Sequence, residues 1–167
     1  YNHYLQAMDQ FCRWLSHGQR QILTHNPIAG MERLNTEVDI RHPRRALKPD
    51  EFVRLIESAR TSGVEIQCFD GEERARIYLI SYFTGLRRKE IGSLTPRSFD
   101  LNADPPTVTV HAACSKHRRK DVLPLHAELV STLRAWLDEK DQDEVLFPKL
   151  GKRRTWLMVK KDLERVG

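Results

Sequence analysis

The 167-residue chain predicts an α+β fold that is mainly helical and carries one small antiparallel sheet. Apolar residues recur at three- and four-residue spacing through most of the chain, the signature of helices with one buried face. One stretch, Thr107 to Leu125, instead shows two short extended runs around a basic middle, the pattern of a β-hairpin. A polar stretch without periodicity lies upstream of both. The expected organisation is therefore a remnant of a helical domain at residues 1–35, a basic linker at 36–46, and a larger mixed domain at 47–167.

In chain order, Tyr4, Met8, Phe11 and Leu15 lie on one face of a first helix, with too little chain around it to cover that face. Asn26-Pro27 and Gly30 punctuate a loop, and the Arg-rich segment from Asn35 to Ala46 reads as linker. Pro49 suits a first-turn position, and Asp50 and Glu51 sit near the positive end of the helix dipole. They open a helix whose stripe is Phe52, Leu55, Ile56 and Ala59. A strongly apolar helix from Glu72 to Thr84 follows, and Gly85 suits its left-handed cap. The next helix is expected from Leu86 to about Leu94, since Pro96 cannot continue it. Thr107 to His111 and Asp121 to Leu125 are the two strands, and the segment between them is a hairpin tip. Leu129, Val130, Leu133, Trp136 and Leu137 mark another helix, and Trp156, Leu157 and Leu163 a last one. Trp14, Trp136 and Trp156 fall on these stripes and read as core rather than as base-stacking platforms.

The charge balance is +5, a mild excess that matters only where it clusters. It clusters in Arg41-His42-Pro43-Arg44-Arg45, in Lys116-His117-Arg118-Arg119-Lys120, and from Lys149 to Arg154 with Lys160 and Lys161 following. Taken singly, each such run is an ordinary solvated face; three along one chain point to a polyanion such as nucleic acid. The three cysteines, Cys12, Cys68 and Cys114, show no paired spacing, so a reducing compartment is expected rather than a disulfide framework. Cys114 and His117 lack a second ligand pair, so no metal site is expected. His111, His117 and His126 read as surface residues. No apolar run reaches the length of a membrane span, and the chain reads as cytoplasmic. Its start at Tyr1, without methionine, reads as a piece of a longer protein.

The segment Thr84-Gly85-Leu86-Arg87-Arg88-Lys89-Glu90-Ile91, taken with Lys116, carries the chemistry. Phosphoryl transfer needs positive charge on the nonbridging oxygens and a proton for the departing oxygen. An arginine fork suits the first task, and a lysine whose ammonium can give up a proton suits the second. Glu90, three residues after Arg87, can brace it from the same helix. In isolation the same charged run on a short helix reads first as a plain solvated face, and composition does not overturn that reading.

The motif Thr-Gly-Leu-Arg87-x-x-Glu90-Ile, with Leu94 and Phe99-Asp100-Leu101 after it, resembles the first arginine box of the tyrosine recombinases, the phage integrase family. Lys116, ahead of Arg118-Arg119-Lys120 and Val122-Leu123-Pro124-Leu125, is similar to that family's β-hairpin lysine. Leu47-Lys48-Pro49-Asp50-Glu51-Phe52 resembles the opening helix of its catalytic domain. Leu146-Phe147-Pro148 with Lys161-Asp162-Leu163 resembles the stretch before its His-x-x-Arg box. Phe11 to Leu15 and Asn26-Pro27 are similar to the end of its helical, SAM-like core-binding domain, so the resemblance spans nearly the whole chain.

The resemblance implies a partial DNA breaking-rejoining catalytic domain. Its parent would cut one strand with a tyrosine and hold a 3′-phosphotyrosyl intermediate, using no metal or other cofactor and no small-molecule substrate. Arg87 would bind the scissile phosphate, Lys116 would protonate the leaving oxygen, and Glu90 would support them. Arg41, Arg44, Arg45, Arg118, Arg119 and Lys120 would contact double-stranded DNA. The parent would act as a homo-oligomer, a synaptic tetramer on DNA, in a bacterial or phage-encoded setting and without a membrane. The His-x-x-Arg box and the nucleophile are expected beyond Gly167, because Tyr1, Tyr4, Tyr78 and Tyr82 all precede Arg87. This chain alone is then expected to be inactive. A non-catalytic DNA-binding module or regulator and a type IB topoisomerase-like enzyme are the competing readings.

Overall fold

The structure is a computed structural model that describes residues 1–17, 22–35, 37–38 and 45–166. Arg41 and Arg44, with most of the expected linker, lie outside the described residues. The chain forms two compact units, Tyr1–Ala46 and Leu47–Gly167.

The first unit is built on α1 (Asn2–Ser16). The Asn2 amide clasps Leu34 from both sides, donating to its carbonyl at 2.8 Å and accepting its N–H at 2.9 Å. Asn26 donates to Asp9 at 2.7 Å. These ties place residues 22–35 along one side of α1. The expectation that Trp14 is core is corrected here, since it is 52% exposed and stacks on Phe11, itself 52% exposed. The covering segment lies on the side of Asp9, so the aromatic stripe stays open within this unit.

The second unit opens with α2 (Pro49–Thr61) and α3 (Gly71–Thr84). The Glu51 carboxylate accepts the Lys48 N–H at 2.8 Å, satisfying a donor that the helix start leaves free. At α3 the arrangement is reciprocal, with Glu73 N–H bonded to Asp70 and Asp70 N–H bonded to Glu73. Gly71 is required there: a Cβ would sit 2.2 Å from the Ala59 carbonyl oxygen. α3 is apolar on nearly every side and runs through the core, burying Ala75, Ile77, Tyr78, Leu79 and Ile80. Gly85 ends it at φ 65°, as its sequence position predicts.

The chain then makes one turn of helix, α4 (Arg88–Ile91), rather than the expected helix from Leu86 to Leu94. Leu86 and Arg87 precede it, with Arg87 extended at the cap position. On the far side the N–H groups of Ser93 and Leu94 close tight turns onto Glu90 and Ile91. A short 3-10 turn at Pro96–Ser98 leads to β1 (Phe99–Asp100), β2 (Thr107–Val110) and β3 (Asp121–Pro124). The sheet order is β1-β2-β3 and both pairings are antiparallel, with Phe99 opposite Val108 and Val110 opposite Asp121. Val108 and Val110 bury fully under the sheet, while Pro124 sits on an edge strand where its missing N–H costs nothing. β1 is the strand the hydrophobic pattern did not announce, because two residues carry no periodicity.

α5 (Ala127–Asp138) packs on α3 through Leu129, Leu133 and Leu137. Trp136 is half-buried, stacked on Phe147 with the Arg76 guanidinium 5.0 Å from its ring centre. α6 (Thr155–Glu164) packs on α2 and buries Met158 and Asp162. Trp156 is 60% exposed, so its expected core role is also corrected. A buried aspartate on the inner face disguised which side of α6 turns inward. Asp162 faces Arg74, and both are fully buried. The Arg74 guanidinium gives two bonds to the carboxylate, at 2.8 and 3.1 Å. Its other donors go to the carbonyls of Val64 and Phe69 and to Ser62 Oγ, so the whole fork is satisfied. Tyr78 donates to the same carboxylate at 2.8 Å, and burial together with that bond pushes its phenol well above its ordinary pKa. This clamp ties α6 to α3 and to the loop after α2.

Candidate active site

Glu90 organises the region singled out by the sequence. It is 4% exposed, carried inward by α4 beside the core residues Ile91 and Leu94. Its Oε2 accepts the Arg87 N–H at 2.8 Å. Its Oε1 accepts the Arg87 guanidinium at 3.3 Å and the Lys116 N–H at 3.3 Å. One carboxylate therefore holds both the arginine and the backbone of the lysine. Burial alone would raise the Glu90 pKa, but these three donors outweigh it and hold the carboxyl below its ordinary range.

The loop that carries Lys116 is fastened at its neck. Ser115 is buried and donates to Asp121 Oδ2 at 2.9 Å, joining the two sides of the loop at the first residue of β3. Within it the Arg118 N–H bonds to Ser115 O at 3.1 Å, and Arg118 takes a positive φ of 53°. The tip is thus a defined turn that presents Lys116, Arg118, Arg119 and Lys120 to solvent.

Arg87, Arg88, Lys89 and Glu90 line one wall of an open cavity of about 500 Å³, and Ala113 to Lys116 line the other. Arg87 is half exposed although its guanidinium rests on Glu90. The cavity thus offers a fixed arginine and a lysine on a pinned loop, with one buried carboxylate behind them. Such a pocket suits a tetrahedral dianionic or monoanionic oxygen group.

The predicted site residues separate cleanly. Arg87, Glu90 and Lys116 come together. Arg118, Arg119 and Lys120 are exposed on the adjoining tip, and Arg45 is exposed in the first unit, where it donates to the Ala46 carbonyl at 3.1 Å. Tyr78 and Tyr82 do not line the cavity; Tyr78 is held by Asp162 and Tyr82 stacks on Phe52 with ring centres 3.9 Å apart. His126 caps α5 by accepting the Glu128 N–H and stacks on Phe83. Ser115 and Asp121 were not foreseen. Their only trace in the sequence is a serine beside the lysine and an aspartate opening the second strand. Among the described residues no cluster of His, Cys, Asp or Glu forms a metal site, and no helix is long and apolar enough to cross a membrane.

The fold is a mixed helical domain with a three-stranded sheet, in which the arginine turn and the hairpin lysine share one carboxylate. A family model described as the phage integrase family matches residues 45–167, and the chain belongs to that family, the tyrosine recombinases. Among solved structures it is similar to the XerA recombinase, with 20% identity and a TM-score of 0.52 over 98% of this chain and 52% of that one. An integrase from mycobacterium phage Brujita matches with 21% identity and a TM-score of 0.45, over 98% of this chain and 50% of that one. The chain thus spans about half the length of these two structures. No curated protein sequence matches it significantly.

Proposed function

We propose that this chain is the part of a tyrosine recombinase that grips double-stranded DNA at the cleavage point, with Arg87 on the scissile phosphate and Lys116 as general acid. The observation that carries this reading is the shared use of Glu90 by Arg87 and Lys116. A guanidinium held from behind keeps its outer N–H groups for nonbridging oxygens. A lysine whose backbone is pinned while its side chain stays exposed can bring its ammonium to the 5′ oxygen as that oxygen departs. The P–O bond to that oxygen breaks as the oxygen of a deprotonated tyrosine bonds to phosphorus, and the Lys116 proton ends on the leaving hydroxyl. The nucleophile on this reading comes from outside the four tyrosines of this chain, which therefore binds DNA without forming a covalent adduct. The acting species is a homo-oligomer on DNA, and Arg41, Arg44, Arg45, Arg118, Arg119 and Lys120 contact backbone phosphates.

The test is strand cleavage by the protein that carries these motifs together with a His-x-x-Arg box and a nucleophilic tyrosine. Lys116→Ala should slow cleavage of ordinary DNA by on the order of 10²- to 10⁴-fold, the usual worth of a positioned general acid. A 5′-phosphorothiolate leaves without much protonation, so its cleavage should be nearly unchanged. Equal loss on both substrates would make Lys116 a positioning residue and refute its role as acid.

A further inference from the structure

The basic run from Lys149 to Arg154 counts toward a polyanion in the sequence but has no contact assigned so far, and the structure packs it against α4. Arg88, next to Arg87, donates to the carbonyl of Arg153. Gln67 accepts the Arg154 N–H at 3.2 Å from a tight turn in which Gln67 and Cys68 both take positive φ, 56° and 67°. Such a turn without glycine is strained, and strain of this kind persists where the surroundings impose it. Below, Leu150 is fully buried, and Gly92 passes so close that a Cβ on it would lie 3.1 Å from the Gly151 nitrogen. The turn is thus held through backbone atoms, which leaves the side chains of Lys149, Lys152 and Arg154 exposed.

Charge pairing points the same way. On other surfaces cations sit on carboxylates, as in Arg54 with Asp50, Arg97 with Asp143 and Lys140 with Glu144. Among the described residues no carboxylate pairs with Lys149, Lys152 or Arg154, nor with Lys116 or the cations of its loop tip. Glu90 fastens the Lys116 loop to α4, and Arg88 fastens this turn to the same helix. Two unneutralised basic segments therefore flank α4.

We propose that the turn from Lys149 to Arg154 is a second phosphate-binding arm for duplex DNA, with Lys149, Lys152 and Arg154 as its contacts. It rests on the reading of this chain as a duplex-DNA binder. α4 then fixes the spacing between the phosphate at Arg87 and those held by the arm, so that the arm sets the register of the duplex at the site.

The experiment measures affinity of the 167-residue chain for a duplex of unrelated sequence across a fourfold range of salt. Three triple variants are compared, each removing three charges. Lys149→Gln/Lys152→Gln/Arg154→Gln tests the arm, Arg118→Gln/Arg119→Gln/Lys120→Gln the hairpin tip, and Arg54→Gln/Arg97→Gln/Lys140→Gln the paired cations. Each true contact contributes about 0.9 to the log-log slope, so three contacts change the salt response by about 40-fold over that range. The arm variant should show that loss with an unchanged melting temperature, and the paired-cation variant should keep the wild-type slope. An arm variant with the wild-type slope, or a paired-cation variant with an equal loss, overturns the proposal. A lost slope for the arm with none for the hairpin tip would support the arm while refuting the hairpin contacts of the proposed function. Absence of duplex binding by the unaltered chain would overturn both.

Discussion

Glu90→Gln keeps the size and shape of a buried side chain but removes the charge that three donors share. A glutamine has one acceptor oxygen where the carboxylate has two. If that oxygen keeps the shorter bond, to the Arg87 N–H at 2.8 Å, the amide NH₂ faces the Lys116 N–H and the Arg87 guanidinium, both donors. Bonds to charged groups contribute about 1.5–3 kcal/mol each when well made, and the two being lost are long, at 3.3 Å. The expected destabilisation is therefore about 1–3 kcal/mol. For a unit of about 120 residues, unfolding entropy near 2.1 cal/mol/K per residue converts this to a fall in Tm of about 4–12 °C. The local signature matters more than the global one: the Lys116 amide should lose protection against hydrogen exchange while the amides of α3 keep theirs. The pH dependence has a definite sign. The folded state holds the Glu90 pKa below its ordinary value of 4.5, so the unfolded chain binds the proton first as pH falls. Its stabilisation is complete above that value and is lost as pH drops through the lower, folded-state pKa. The Tm gap between wild type and Glu90→Gln should be widest above pH 4.5 and close below it. A Tm within about 1 °C of wild type at neutral pH, with Lys116 exchange unaltered, would refute the bridging role.

Asp162→Ala leaves the Arg74 guanidinium charged and buried without its carboxylate, which should cost about 3–5 kcal/mol, whereas Tyr78→Phe removes one donor and should cost about 1–3 kcal/mol. Urea midpoints of the two variants check this, and similar small losses would show that the clamp is not an ion-paired unit. Gly71→Ala forces a Cβ against the Ala59 and Arg60 carbonyls, at 2.2 and 3.1 Å, and should lose about 1–3 kcal/mol despite the better helix propensity of alanine. Gly85→Ala meets no atom within 4 Å and carries only the positive-φ penalty of about 1–2 kcal/mol, so thermal melts in which its loss clearly exceeded that of Gly71→Ala would contradict the packing described.

The main elements were legible because their signals are local. Pro49 with Glu51 and Gly85 are start and stop groups acting on the nearest turn, and the stripes of α2 and α5 repeat with the helix period. Arg87, Glu90 and Lys116 could be named through the resemblance of their segments to the integrase family; spacing alone puts Arg87 and Glu90 on one turn and Lys116 at a hairpin tip, and leaves a plain solvated face open. Local signals failed where a long-range partner changed what a position wants. Asp162 sits at a core position because Arg74 and Tyr78, far away in sequence, together supply its donors, so α6 turned a different face inward and left Trp156 outside. α1 is amphipathic by pattern, but only the folded unit shows which side residues 22–35 cover. The sequence by itself determined the main helices and the hairpin, since these depend on neighbours within a turn or a strand pair. The tertiary structure alone decided that α4 is a single turn, that one buried carboxylate joins the arginine to the lysine loop, and that the Lys149 to Arg154 turn lies against the same helix. These depend on groups brought together through space, where burial raises the cost of any charge left without a partner.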